Sequence, residues 1–171
     1  MSRIWKFGSD VDTDQIVPGR YAPYMRPNED VGTAAFIEAH PEFNRQAKPG
    51  DLILANNNFG CGSSREYAPL ALKRRQIKAI LATSFARIFY RNAINLGIPL
   101  FVVPGLYDQV DDGVEADLDV AAATLTVDGS RFELPQLPEF AQSIISAGGI
   151  VNYVREHGSF PGEKSRMAVP Q

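Results

Sequence analysis

The sequence contains few of the residues that bind metal ions or form disulfides. Its 171 residues include one cysteine, Cys61, and two histidines, His40 and His157. One cysteine excludes an internal disulfide and cannot replace the three or four thiolates that usually hold an iron–sulfur cluster. The histidines are far apart and lack H-E-x-x-H spacing, which argues against a self-contained zinc site. We therefore expect no metal ligands in this chain, and the cysteine content fits a reducing cytoplasm.

An excess of basic residues and a long apolar run are also absent. The net charge is −3, which gives no electrostatic reason to expect nucleic acid or an anionic membrane as a partner. No apolar run approaches the ~20 residues of a membrane-spanning helix. The first residues, 1–5, run into polar positions and are not expected to be a signal peptide. We expect one globular domain over residues 1–158 and a disordered tail over residues 159–171, which is rich in proline, glycine and charge.

The middle of the chain alternates short apolar runs with helical patterns. Strands are predicted over 51–55, 77–82 and 98–103, and helices over 64–76 and 84–96. Strand–helix–strand–helix–strand with short connections is typical of an α/β fold with a mostly parallel sheet.

Shorter elements are predicted on both sides of this core. A short helix is expected over 33–40, and after Pro104 the pattern changes to short additional strands. Asp128-Gly129 is a typical two-residue hairpin turn between two of these strands. The ranges are strands 114–118, 124–127 and 131–134, a helix over 140–147, and a helix or strand over 150–155.

The segment N-N-N-F-G-C-G-S-S-R-E-Y-A-P, residues 56–69, follows the predicted strand 51–55 and runs into the predicted helix 64–76. Backbone N–H groups, a helix N-terminus and Arg65 could together form an anion site there, in which the arginine grips a carboxylate with two hydrogen bonds. Alternatively, Ser63 or Ser64 only caps the helix and Arg65 is solvated. The segment lacks G-x-S-x-G, G-K-[ST] and the third glycine of G-x-G-x-x-G, which argues against three common catalytic and nucleotide-binding motifs.

Three aspartates precede the predicted core, at Asp10, Asp12 and Asp14. Their D-x-D-x-D spacing is similar to the start of a calcium-binding loop, but the required glycine and the later glutamate are missing. We therefore expect a polar loop in which carboxylates cap backbone N–H groups.

Four segments together resemble one known family, the small subunits of 3-isopropylmalate dehydratase, which are similar to the swivelling β/β/α fourth domain of aconitase. The segments are N-F-G-C-G-S-S-R-E-Y-A-P, D-V-D-T-D-Q-I-V-P-G at 10–19, S-F-A-R-I-F-Y-R-N-A-I-N-L-G at 84–97 and A-G-G-I-V-N-Y-V at 147–154. The resemblance implies a lyase of the hydro-lyase class, in leucine biosynthesis. It would be active only with a large subunit that carries a [4Fe–4S] cluster.

The resemblance also implies roles for individual residues. Ser63 corresponds to the serine that removes the C–H proton, helped by nearby N–H groups and by Arg65. Arg65 would also bind a substrate carboxylate, and Ser64 would add a contact. Asp14 corresponds to an aspartate that orients groups in the site. Cys61 would be a small buried residue and not a cluster ligand.

The sequence leaves open which second arginine binds a carboxylate and which substrate is used. A second carboxylate-binding arginine is expected in the next loop, where Arg26 is the candidate and Arg20 competes with it. The loop Tyr21-Ala22-Pro23-Tyr24 corresponds to the place where this family recognises the variable group of its small hydroxy-dicarboxylic acid substrate. Its lack of charge favours isopropylmalate, with methylmalate, dimethylmalate or homoaconitate as alternatives. Arg87 and Arg91 are expected to serve helix packing or the subunit interface.

Overall fold

A seven-stranded sheet forms the centre of the protein. The computed structural model describes residues 1–163, and in it the strands follow the order β4-β3-β2-β1-β5-β6-β7. The strands are β1 Ser2–Phe7, β2 Leu52–Ala55, β3 Ala79–Ala82, β4 Leu100–Val102, β5 Glu115–Asp119, β6 Thr124–Val127 and β7 Ser130–Glu133. The prediction of an α/β fold with a mostly parallel core and short additional strands is confirmed.

The parallel half of the sheet consists of β1 to β4. Leu52 pairs with Ala79, and Ile80 with Leu100, in parallel register. All residues of β2 and β3 are buried, because helices and loops cover both faces of this half. Continuous apolar runs are the sequence signature of such strands, which is why 51–55 and 77–82 could be recognised.

Strand β1 was not predicted, although it joins the two halves of the sheet. It pairs in parallel with β2, with Ile4 opposite Leu52, and antiparallel with β5, with Ser2 opposite Ala116. Ile4 and Trp5 are both buried, although successive side chains point to opposite faces of a strand. The strand therefore lacks the alternation of apolar and polar residues that marks a half-exposed strand.

The antiparallel half ends in the predicted hairpin. Val127 pairs with Ser130 across the turn, and both turn residues have positive φ, 48° at Asp128 and 78° at Gly129. That conformation matches the type I′ turn which aspartate and glycine favour.

Within the described part of the chain, six α-helices pack around the sheet. They are α1 Thr13–Ile16, α2 Pro41–Gln46, α3 Tyr67–Arg74, α4 Arg87–Asn95, α5 Glu139–Ser146 and α6 Ile150–His157, and two 3-10 helices lie at Gly19–Tyr21 and Val31–Ala34. The segment 150–155, for which the sequence allows a helix or a strand, is helical. None of these helices is long and apolar enough to cross a membrane.

The predicted helix over 33–40 is wrong. Only a 3-10 helix forms, at Val31–Ala34, and Phe36 then adopts a left-handed conformation with φ 53°, which a continuing helix does not allow. This bend places the Phe36 ring on Phe7, with ring centroids 4.3 Å apart. The helix α2 follows instead, with Pro41 in its first turn and the His40 ring accepting a hydrogen bond from the Phe43 N–H.

The buried carboxylate of Asp51 links β1 to the loop before β2 by hydrogen bonds. Asp51 is 6% exposed and accepts hydrogen bonds from the Trp5 indole N–H at 2.9 Å and from the backbone N–H groups of Lys48 at 2.9 Å and Arg3 at 3.2 Å. Three donors satisfy the oxygens of this carboxylate, as a buried charge requires.

The C-terminal segment divides into a described and an undescribed part. Gly158 ends α6 in a left-handed conformation, and the Glu163 N–H donates to the Phe160 carbonyl in a turn. Residues 164–171 of the predicted tail lie outside the described residues, and its disorder stays a prediction.

Candidate active site

Three loops meet at one edge of the parallel sheet. They follow β1, β2 and β3, and the carboxyl ends of parallel strands share an edge. The loops are joined by backbone hydrogen bonds: the Asp10 N–H donates to Asn57, the Thr13 N–H to Cys61 and the Phe59 N–H to Ser84. The glycine–serine segment therefore lies in the middle of the group, between the aspartate segment and the start of α4.

Two glycines give the central loop its shape. Gly60 has φ +82°, and a Cβ there would lie 2.1 Å from Cγ of Phe89 on α4, so no side chain fits. Gly62 has φ +90°, a conformation that residues with a Cβ rarely adopt. The two turns carry the chain past α4 and leave Ser63 and Ser64 on the surface.

The two serines do not cap the following helix. Helix α3 begins at Tyr67, its N-cap position is Glu66, and no side-chain hydrogen bond caps it, so this prediction is wrong. The reason is a tight turn in which the Arg65 N–H donates to the Ser63 carbonyl at 2.8 Å, which moves the helix start along the chain. Among residues 1–163, no group hydrogen bonds the Ser63 hydroxyl or the N–H groups of the two serines.

An open cleft of about 600 Å³ contains these serines. It has polar walls from three loops and a wall from α4, and its residues include three arginines. They are Thr13, Asn58, Gly60, Gly62, Ser63, Ser64, Arg65, Phe85, Ala86, Arg87, Ile88, Phe89, Arg91 and Asn92. A hydroxyl, open N–H groups and three guanidinium groups suit a small anion with more than one carboxylate.

Arg65 is held by two neighbours. Its Nη1 lies 3.0 Å from Oδ1 of Asp14 and donates a hydrogen bond to the Tyr67 hydroxyl. The bond to Tyr67 raises the pKa of Arg65 above its already high value. The structure thus brings together Ser63, Ser64 and Arg65 in one cleft, with Asp14 on Arg65.

The two loop arginines lie elsewhere. Arg20 pairs with Glu38, whereas Arg26 pairs with Glu29 at 3.1 Å and places its guanidinium 4.5 Å from the centre of the Tyr21 ring. Neither lines the cleft around Ser63. Each has an acidic partner, so a substrate carboxylate would compete with that glutamate or bind through other nitrogens of the guanidinium.

The four residues of the predicted recognition loop differ in exposure. Ala22 is fully buried at 0%, and the N–H groups of Met25 and Arg26 donate to its carbonyl. Tyr24 is 70% exposed, and its ring meets the Tyr67 ring edge to face with centroids 6.2 Å apart. Within this loop, Tyr24 and the neighbouring Met25 present the apolar surface.

Arg87 and Arg91 do not pack inside the protein. Both are exposed on α4 and line the cleft, so the helix-packing interpretation is wrong. They flank Ile88, which is 55% exposed. No carboxylate among residues 1–163 forms a salt bridge with either arginine.

The three aspartates have three different partners. Asp12 caps α1 by accepting a hydrogen bond from the Gln15 N–H at 2.8 Å, which confirms the capping interpretation for this residue. Asp10 accepts a hydrogen bond from the Asn58 side chain at 2.9 Å.

Sequence reasoning missed Thr13, whose buried hydroxyl donates a hydrogen bond to the Ser63 carbonyl at 2.9 Å.

Cys61 lacks the properties of an iron–sulfur ligand. Cys61 is half-buried rather than fully buried, and burial, followed by Asp12 and Asp10, raises the pKa of its thiol, which disfavours the thiolate that iron requires. Within residues 1–163, no three His, Cys, Asp or Glu side chains are grouped to hold a metal ion.

Residues 11–102 match the family described as the aconitase C-terminal domain, and this range contains α1, the loops after β2 and β3, α3 and α4. The chain belongs to this family. It is 47% identical to 3-isopropylmalate dehydratase small subunit 1 of Deinococcus radiodurans, covering 96% of this chain and 92% of that one. It is 45% identical to the homoaconitase small subunit of Thermus thermophilus, covering 95% of this chain and 100% of that one.

A solved structure agrees with the sequence relatives. A crystal structure titled 3-isopropylmalate dehydratase, from Methanocaldococcus jannaschii, superposes with a TM-score of 0.83 and 38% identity, covering 92% of this chain and 93% of that one. The resemblance to this family of small subunits is therefore confirmed, and with it the hydro-lyase class. The relatives carry different substrate names at nearly equal identity, so overall identity does not select the substrate.

Proposed function

We propose that this chain is the small subunit of a cytoplasmic enzyme of leucine biosynthesis that converts 2-isopropylmalate to 3-isopropylmalate by dehydration and rehydration. The observation that supports the chemistry is the Ser63 hydroxyl, open and unpartnered among residues 1–163, in the same cleft as Arg65. A hydroxyl that must act as a base needs a cationic, hydrogen-bonding environment.

In this proposal, Ser63 removes the C–H proton of the substrate. Its alkoxide is stabilised by the cationic field of Arg65 and by open N–H groups of the turn, each donor contributing ~3 kcal/mol. Arg65 binds one substrate carboxylate with the edge of its guanidinium formed by Nε and Nη2, away from Asp14 and Tyr67. Ser64 adds a backbone or hydroxyl contact.

A second carboxylate needs a second cation. Arg26 remains the proposed partner, and it would exchange Glu29 for the substrate. Arg87 and Arg91 are further candidates because they line the cleft without a salt bridge to any of residues 1–163. The cleft that contains Ser63 thus has three arginines in its lining.

The [4Fe–4S] cluster belongs to the large subunit in this proposal, where it would act as the Lewis acid on the departing hydroxyl. The large subunit would then close the cleft over Ser63. The exposed face of α4 supports this docking position, since Ile88 lies between two arginines that line the cleft and form no salt bridge with any of residues 1–163.

The substrate assignment depends on the loop at residues 20–30. Its arginines each have a glutamate partner, and Tyr24 and Met25 offer apolar surface, which suits an alkyl group better than an additional carboxylate. A smaller alkyl group, as in methylmalate or dimethylmalate, is the second candidate, because Pro23 stiffens the loop and the Tyr24 ring occupies space beside Tyr67.

The test is anaerobic reconstitution with the cognate large subunit and side-by-side assay of isopropylmalate, methylmalate, dimethylmalate and homoaconitate. Preferred turnover of isopropylmalate is expected, and Ser63→Ala should remove turnover while the complex still assembles. Preference for homoaconitate would overturn the substrate assignment. No turnover with a verified cluster and complex would instead favour a stand-alone module that binds small acids.

A further inference from the structure

Tyr67 has no role in the chemistry described so far, yet it contacts the group that binds the substrate carboxylate. Its hydroxyl accepts a hydrogen bond from Nη1 of Arg65, the same nitrogen that lies 3.0 Å from Asp14. The Tyr67 ring is half-buried at the start of α3, so it is better anchored than Asp14, whose side chain is 58% exposed. The firmer support of Arg65 is therefore the tyrosine.

The remaining space around Nη1 is filled by backbone. A Cβ on Gly19 would lie 3.1 Å from this nitrogen, so the loop after α1 approaches it closely. Burial raises the pKa of Tyr67 although the Arg65 guanidinium opposes the rise, which keeps the hydroxyl neutral. Nη1 is thus enclosed by Asp14, Tyr67 and Gly19, whereas Nε and Nη2 have no partner among residues 1–163.

The other side of Tyr67 faces the recognition loop. The exposed Tyr24 ring meets the Tyr67 ring at 66° with centroids 6.2 Å apart, the edge-to-face geometry of an attractive aromatic pair. If the variable group of a substrate displaced Tyr24, the Tyr67 ring would lose its aromatic partner, and Tyr67 is the side chain that hydrogen bonds Arg65.

We propose that Tyr67 is a positioning residue that fixes Arg65 and links it to the recognition loop at Tyr24. This inference rests on the proposed function for its effect on turnover, but not for the contact itself. Arg65 follows Ser63 by two residues, so its orientation sets where a bound carboxylate places the reacting C–H bond relative to the Ser63 hydroxyl. Small errors in such placement reduce the rate strongly.

The first measurement uses the isolated small subunit and needs no turnover. NMR of arginine side chains should resolve slowly rotating Nη–H groups for Arg65, assigned by their loss in Arg65→Lys. Tyr67→Phe, which keeps the ring and removes the hydroxyl, should average them, whereas the control Tyr107→Phe should not. Averaged Nη–H groups in the unsubstituted protein would overturn the positioning role.

The second measurement uses the reconstituted complex. Tyr67→Phe should lower kcat about 10-fold with KM changed less than about 3-fold, because the carboxylate still binds but is misplaced. Thermal unfolding and complex assembly should match the Tyr107→Phe control. A kcat within 2-fold of the unsubstituted enzyme would overturn the role in turnover.

The link to the loop is tested by a double-mutant cycle. Tyr24→Ala and Tyr67→Phe should have less than additive effects on kcat, since both disturb the same support of Arg65. Additive effects would overturn the link. If no substrate turns over even with the unsubstituted protein, the proposed function fails, and the NMR comparison alone still decides whether Tyr67 holds Arg65.

Discussion

Replacing Arg65 with lysine tests whether the fork geometry matters and not only the charge. Nη1 contacts Asp14 and Tyr67, whereas Nε and Nη2 have no partner among residues 1–163 and can bind a carboxylate. A lysine has one nitrogen, so it can keep the ion pair with Asp14 and reach one substrate oxygen, but it loses the second bond to the carboxylate. A hydrogen bond to a charged group contributes ~1.5–3 kcal/mol, which corresponds to a loss of roughly 10- to 150-fold in kcat/KM.

The same substitution should change the free energy of unfolding very little. Asp14 is largely exposed, and solvated ion pairs contribute about 1 kcal/mol or less to stability. The assay is therefore kcat/KM with a saturating large subunit, next to urea unfolding of the isolated chain. Arg131→Lys is the matched control, because Arg131 pairs with Glu133 at 2.8 Å on the exposed strand β7, which contributes no residue to the cleft.

If Arg65→Lys keeps kcat/KM within 3-fold of the unsubstituted enzyme while Arg131→Lys does the same, a point charge is sufficient at this position. The two-point binding of a carboxylate by Arg65 would then be wrong.

Three further predictions concern other parts of the chain. Asp51→Asn should lower the free energy of unfolding by ~2 kcal/mol in urea titration, because an amide cannot accept all three hydrogen bonds around Trp5; an unchanged midpoint would contradict this. Ile88→Asp should weaken binding of the large subunit at least about 10-fold in sedimentation, whereas Val151→Asp, on the equally exposed face of α6, should not; equal effects would move the docking face away from α4. Cys61→Ala should leave the iron content and turnover of the complex unchanged, and loss of iron would show that the thiol contributes to the cluster.

The parallel core could be predicted from the sequence because buried parallel strands are continuous apolar runs. The hairpin could be predicted because Asp128 and Gly129 tolerate positive φ. Strand β1 could not, since Ile4 and Trp5 are buried on opposite faces and give no period. The bend at Phe36 depends on packing against Phe7, which no local pattern reveals.

The candidate site likewise has residues that the sequence predicts and residues that it does not. The glycine–serine segment was visible because glycines at Gly60 and Gly62 allow turns that few other residues allow. Tyr67 was not, because its hydroxyl acts only after the turn at residues 63–65 brings Arg65 back toward it. The position of Arg91 on the cleft wall depends on how α4 is oriented against the central loop, which is a tertiary property.

The central position of β1 has a consequence for synthesis on the ribosome. The strand that pairs with both halves of the sheet precedes its partners in the chain: its parallel neighbour Leu52 emerges later, and its antiparallel neighbour Ala116 later still. Pairings that are distant in sequence form slowly. Ile4 and Trp5 are therefore made well before the strands that bury them, and we expect this apolar segment to be open to chaperone binding until Leu52 has emerged.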